Sequence, residues 1–275
     1  MDVVVPAHNE EFVITGCLDR LADATSVNRV IVVANGCTDR TVELARAHPS
    51  APEVVVVERP GKAGALNAGD ARCATFPRVY LDADIELSGP GLDALATTAK
   101  DTDAEAVMPA VRLDLAGASW PVRRYYAVWQ RLPAVNSSSA GRGVYLLTAT
   151  AHERVFPMPT DLISDDGYVS QRVPQDSRAL ATEAVVVVKA PKDVRSLLRR
   201  RQRVHQGNTG LPQGKAGSTG LHTMAELVRT RQAGPVDVLV FVGITALARL
   251  LVRTRRGPVE WGTDQSTRTA VAVDS

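Results

Sequence analysis

Four short apolar runs mark the first eighty residues, at 3–5, 29–34, 54–57 and 78–81. Each is too short for a helix and rich in valine, so each reads as a buried strand. Between them, 10–23, 38–47 and 61–73 read as helices, with Thr38 a candidate N-cap for the second. Strand and helix alternating at this spacing predict an α/β fold with a mostly parallel sheet and right-handed crossovers. Ligands of such sheets bind beyond the carboxyl ends of the strands, near a topological switch point. The residues just after each strand are therefore the first candidates for chemistry.

The pattern continues less regularly. Further strands are expected at 106–111, 144–147 and 184–189. Trp120 opens a helix to 131 that bears Tyr125, Tyr126 and Trp129, a cluster suited to core packing or to the apolar face of a sugar. A Ser/Gly-rich loop follows at 136–143, and 195–206 reads as a basic helix. Residues 208–220 are Gly-rich and read as a loop or linker. The apolar stretch 236–252 contains Asp237 and Arg249 and is short for a full span, so a surface or core helix is expected. The polar tail begins at Thr263.

With 275 residues, 45% of them hydrophobic and 23% charged, the chain can bury a sizeable core. A net charge of +2 gives no global attraction to nucleic acid. The charge is uneven, however: acids crowd the first half, and 195–203 and 249–256 are basic runs. Cys17, Cys37 and Cys73 are odd in number and lack metal-type spacing, which suits reduced thiols in a cytoplasmic protein. No basic region precedes an apolar segment at the N-terminus, so no secretion signal is expected.

The strand ends carry the chemistry. Asp82 and Asp84 follow the fourth run, and in an extended chain residues i and i+2 point to one side. Two converging carboxylates suit a hard divalent cation. A second acidic pair, Asp101 and Asp103, reads only as a solvated helix end. Elsewhere the chain reads Val5-Pro6-Ala7-His8-Asn9-Glu10, then Ala34-Asn35-Gly36-Cys37-Thr38-Asp39, then Gly61-Lys62-Ala63-Gly64-Ala65-Leu66-Asn67-Ala68-Gly69. Ser164-Asp165-Asp166-Gly167 comes much later and also suits a helix N-terminus, with Ser164 and the two acids complementing the helix dipole; a stretch with Gln202, Arg203 and His205 follows.

In order and spacing these segments resemble the GT-A glycosyltransferases of the large inverting family two, over roughly residues 1–207. That family typically shows P-x-x-N-E, D-D-G-S-T-D, G-K-x-x-A-L-N-x-G, D-x-D and an E-D pair in this sequence. The resemblance implies a GT-A catalytic domain over 1–207, with nucleotide-sugar binding in 1–100 and the acceptor side in 101–207. A helical extension and polar tail would follow over 221–275. It implies transfer of a sugar from a nucleoside diphosphate, with uridine the leading base, to an acceptor hydroxyl. Mn2+ or Mg2+ would assist, held by Asp84 and Asp82, with His205 a further candidate ligand.

Asp166 matches the family's general base, and Asp165 the acid before it. Pro6, Ala7, His8 and Glu10 lie where the family cradles base and ribose. Lys62 and Arg203 match contacts to the donor, and Arg203 suits phosphate through its fork of donors. Ala34 and Asn35 replace the family's two acids at the base, and His205 replaces an aromatic residue. The nearest rival enzyme is a sugar nucleotidyltransferase, whose first strand should end in a Gly-rich basic turn. Here that turn is acidic and Gly-free. A non-enzymatic membrane-surface or protein-binding module is the other rival. Basic residues flank the stretch 236–252, so peripheral contact with an inner membrane surface is a separate expectation.

Overall fold

The computed structural model describes residues 1–59, 61–132, 143–162, 164–209 and 221–254, and excludes the side chains of 203–209, 221–222 and 253–254. The described residues of Met1–Arg112 and Ala140–Val187 form one compact unit; those of Leu113–Ser139 and Val188–Glu260 form another.

A seven-stranded, mostly parallel sheet organises the first unit. Its strands are β1 (Asp2–Ala7), β2 (Arg29–Asn35), β3 (Glu53–Val57), β4 (Arg78–Leu81), β5 (Ala106–Asp114), β6 (Val144–Leu147) and β7 (Arg178–Lys189), in the order β3-β2-β1-β4-β6-β5-β7. β1 pairs in parallel with β2 on one side and β4 on the other, while β6 runs antiparallel to β4 and β5. The connection from β1 goes to one flank and later returns to the other, so a switch point opens at the carboxyl end of β1.

The helices of this unit are α1 (Ile14–Ala22), α2 (Thr41–Arg46), α3 (Lys62–Asp70), α4 (Gly89–Thr102), α6 (Ala149–Val155) and α7 (Asp165–Arg172). Val4, Ile31 and Val33 are fully buried and share a core with Ala63, Ala65 and Leu66 of α3. Burying each large aliphatic side chain contributes about 1.5–3 kcal/mol. The close seat of α3 on the sheet depends on Gly69, where a Cβ would come within 2.4 Å of Val4 and 2.8 Å of Val33.

Some boundaries differ from those expected. α2 starts at Thr41, and Thr38 is not its cap; Asp39 instead accepts the Thr41 backbone N–H at 3.0 Å. A short acidic side chain two residues upstream of the helix serves better than the hydroxyl one turn earlier. The first helix begins four residues later than expected, after a turn in which Glu10 O accepts from Val13 and Ile14. β7 extends far upstream of 184.

The second unit packs α5 (Trp120–Trp129), α8 (Val194–Thr209), α9 (Leu221–Arg229) and α10 (Pro235–Thr254) around Val122, Val128, Leu197, Leu227 and Ile244. Tyr125 and Tyr126 are core residues here, and Tyr125 stacks on Phe241 with ring centroids 4.8 Å apart. The aromatic cluster of α5 thus packs within its own unit.

Candidate active site

The site lies in the first unit, beyond the carboxyl ends of β1, β2 and β4. Two loops are laced together where β1 and β2 end. Asn9 adopts a left-handed backbone (φ 54°), which asparagine tolerates better than most residues. Its side-chain oxygen accepts the Thr38 backbone N–H at 2.8 Å. The Glu10 N–H donates to Thr41 Oγ1 at 2.7 Å, and the Glu11 N–H to Asp39 Oδ2 at 3.0 Å. Burial acts to raise the Asp39 carboxyl, but hydrogen bonds from Thr41 and Glu11 outweigh it and hold the group below its usual range. Pro6 and Ala7 are buried in the last positions of β1. His8 donates from Nδ1 to the carbonyl of Asn35 at 2.6 Å, which fixes its tautomer.

Asn35 closes β2 and is fully buried. Its Oδ1 accepts the Gly61 N–H at 3.1 Å, just before α3. A backbone donor must meet the amide oxygen, so this contact sets which way the amide faces. Nδ2 is buried and meets no acceptor among the described residues. Where the resembling family offers an acceptor, this chain holds out a donor.

Lys62 opens α3, and its ammonium is almost enclosed, at 13% side-chain exposure. It lies 2.7 Å from Asp82 Oδ1 and 2.9 Å from Asp165 Oδ1. Burial alone would lower the lysine, but Asp165, Asp82 and Asp166 raise it well above its ordinary value, so it stays protonated. Tyr145 of β6 donates its hydroxyl to Asp165 Oδ2 at 3.4 Å.

Gly143 was not singled out in the sequence, yet it connects the acidic groups. Its carbonyl accepts the Asp82 backbone N–H at 2.8 Å, and its own N–H reaches Asp166 Oδ2 at 3.4 Å. Its φ of +70° favours glycine. Asp165 and Asp166 form the first turn of α7, where the helix dipole favours negative charge. Ser164 caps that helix by accepting the Gly167 N–H at 3.2 Å, as expected from the sequence.

One premise of the sequence reading needs correction. Asp82 and Asp84 are not successive same-side residues of a strand, because β4 ends at Leu81 and the Ile85 N–H bonds back to Asp82 O at 3.0 Å, closing a turn. Asp82 turns toward Lys62, while Asp84 is exposed. Arg203 and His205 lie on α8, and their side chains fall outside the described residues.

The charges test whether a cation fits. Burial pushes the Asp82 carboxyl up to about 8; Lys62 pulls it down, and Asp165, Asp166 and Asp84 push it up again. The Lys62 ammonium is held among Asp82, Asp165 and Asp166, and Asp84 adds a fourth acid beside Asp82, so the cluster carries surplus negative charge. Among the described residues no three His, Cys, Asp or Glu side chains already form a metal-holding group. An all-oxygen donor set with surplus charge suits Mn2+ or Mg2+ completed by ligands from a bound substrate.

Residues 2–138 match the model of glycosyl transferase family 2. No curated protein sequence matched the chain. Among solved structures, it resembles a mannosyltransferase from Pyrobaculum calidifontis in complex with GDP-Man and Mn2+. The two are 23% identical with a TM-score of 0.59, covering 90% of this chain and 74% of that one. It also resembles glucosyl-3-phosphoglycerate synthase from Mycobacterium tuberculosis in complex with Mn2+, UDP-glucose and phosphoglyceric acid. There the identity is 22% and the TM-score 0.53, over 80% of this chain and 83% of that one. The same enzyme with Mg2+ and UDP gives a TM-score of 0.55 at 22% identity, over 79% and 82% of the two chains. At these identities the likeness shows the fold, which is GT-A. The family model spans the ends of β1, β2 and β4, and this chain, a glycosyltransferase, belongs to glycosyl transferase family 2.

Proposed function

We propose that this enzyme moves a sugar from a nucleoside diphosphate donor to an acceptor hydroxyl with inversion at the anomeric carbon, and that Asp166 is the general base. The observation that carries this reading is the convergence of Asp166, Asp165, Asp82 and Lys62 on one cluster beside the β1–β2 loops. The catalytic domain is taken as 1–207, with the helical extension after it. Cys17, Cys37 and Cys73 are unpaired, which supports a cytoplasmic setting.

Each residue has a physical task. The laced loops of Ala7, His8, Glu10 and Asn35 form a rigid wall for base and ribose. Asp84 and Asp82 would hold a divalent cation, which supplies charge neutralisation for a departing diphosphate. Lys62 supports the same charge with a permanent ammonium, and Arg203 is assigned to phosphate. Asp166 takes the proton as the acceptor oxygen attacks, worth roughly 10²–10⁴ in rate. One base and one displacement lead to inversion. Asp165 holds Lys62 in place and is itself steadied by Tyr145. Uridine as the base rests on the family resemblance; the mannosyltransferase neighbour was solved with GDP-Man.

Asp166→Asn tests the central assignment. The amide preserves shape and cannot take a proton, so transfer should stop while Mn2+-dependent nucleotide binding, followed by calorimetry, stays nearly intact. Retained turnover removes Asp166 as the base. Absence of nucleotide binding in the parent protein removes the whole reading.

A further inference from the structure

Helix α10 presents two opposed faces. Asp237, Phe241, Ile244 and Ala248 are buried along one side. Val236 (51% exposed), Leu239 (72%), Val242 (42%) and Leu247 (43%) lie along the other half of the circumference. By length and composition Pro235–Val252 could cross a bilayer, and only 22% of it is buried. Its inner side, however, is committed to its own unit. Phe241 stacks on Tyr125. Asp237 pairs with Arg124 at 3.2 Å and accepts the Gly234 N–H at 2.9 Å. A spanning helix would carry Asp237 into hydrocarbon and lose those contacts. The helix is therefore built to lie down, with one side on protein and the other on something apolar.

The surrounding charge says what that is. The stretches 113–139 and 188–260, which supply the second unit, hold seventeen Lys and Arg against five Asp and Glu, whereas the whole chain holds 32 against 30. Arg229 and Arg231 precede α10 and are exposed, Arg249 is exposed on it, and Arg253, Arg255 and Arg256 follow in sequence. An apolar stripe set in strong positive charge matches a negatively charged bilayer surface. A second copy of the chain would meet the stripe but bring the same excess of arginine. Nucleic acid would meet the arginines and leave the stripe in water.

We propose that α10 lies in the plane of an anionic lipid surface, with Val236, Leu239, Val242 and Leu247 at the boundary of headgroup and acyl chain and Arg229, Arg231 and Arg249 on lipid phosphates. Flotation of the full-length protein with phosphatidylcholine vesicles, with and without about 30% phosphatidylglycerol, tests this. The protein should float with the anionic vesicles, and far less so with neutral ones or at high salt. Leu239→Glu with Leu247→Glu changes two exposed positions, so the circular dichroism spectrum should not move while vesicle affinity falls about tenfold or more. A protein that stays in the soluble fraction with both vesicle types overturns the proposal, as does a double variant that floats like the parent. Equal flotation with neutral vesicles overturns the role of the arginines. A dimer that the double variant dissolves, without flotation, assigns the stripe to a second copy instead, and RNA binding without flotation assigns the charge to nucleic acid.

Discussion

Asp82 and Asp165 share one ammonium: Lys62 Nζ stands 2.7 Å from the first and 2.9 Å from the second. One residue of α3 thereby ties the turn after β4 to the first turn of α7, segments that are distant in sequence. Lys62→Met should leave two carboxylates facing each other without a counter-charge. Breaking one partner of an enclosed ion pair costs about 3 kcal/mol, because the remaining charge stays desolvated. The variant should therefore melt well below the parent in metal-free buffer. Mn2+ should raise its melting temperature more than that of the parent, since the cation replaces the lost charge. Equal Mn2+ responses in a thermal-shift titration would show that Lys62 and the cation do not serve the same carboxylates.

Gly143 is the second tie between the acidic groups. Its φ is +70°, and a Cβ there would approach Ile85 Cγ1 to 2.7 Å and Asp82 Oδ2 to 3.1 Å. Gly143→Ala should cost about 1–3 kcal/mol in stability from the strained backbone. It should also displace Asp82 or Asp166, so kcat should fall even at temperatures where the variant is fully folded. Unchanged kcat in a folded variant would show that the backbone link between Asp82 and Asp166 is incidental.

The buried amide of Asn35 leads to a prediction on the nucleobase. Asn35→Asp keeps an acceptor for the Gly61 N–H and exchanges the unmatched Nδ2 donor for a second acceptor. Uracil presents a ring N–H, which that acceptor would bind, whereas cytosine presents a bare ring nitrogen, which it would repel. The ratio of CDP to UDP dissociation constants should rise about tenfold, the worth of one hydrogen bond gained or left unmade. A ratio that does not move, read by calorimetry in the presence of Mn2+, would place the base away from Asn35.

Much of the first unit was legible because its signals are local. Valine runs between helical stretches announce β1 to β4, and Ser164 before two acids announces the start of α7. The Asp82/Asp84 geometry was misjudged because a strand's end is set by pairing: the antiparallel partner β6 matches only Arg78 to Leu81, so Asp82 is already in a turn. The partners of Lys62 were hidden for a different reason. A Gly-flanked lysine at a helix start reads as a phosphate ligand, and nothing near it in sequence shows that two aspartates from distant segments will reach it first. Gly143 gave only a weak signal, the end of a Ser/Gly-rich loop. The two faces of α10 became distinct only when Phe241 and Asp237 were seen to pack inward, since the helix is apolar nearly all round in sequence.

Acid stability should trace to a clamp remote from the site. Asp93 of α4 accepts the backbone N–H of Thr25 at 3.0 Å and of Ser26 at 2.8 Å, and the hydroxyls of both residues. Burial acts to raise its carboxyl, but the bonds from Ser26 and Thr25 prevail and hold it at about 2, against an ordinary value of 3.8. A carboxyl depressed in the folded state contributes stability that is present above its ordinary pKa and lost as pH falls through the folded one. The stabilisation should therefore be intact at neutral pH and fade from about pH 4 toward pH 2. Because the group is only partly buried and solvent screens it, its share is about 1 kcal/mol. Asp93→Asn should lower stability at pH 7 by roughly that amount and leave the two proteins nearly equal near pH 2. Urea midpoints measured across this range check the sign directly, and a gap between parent and variant that widens on acidification would overturn it.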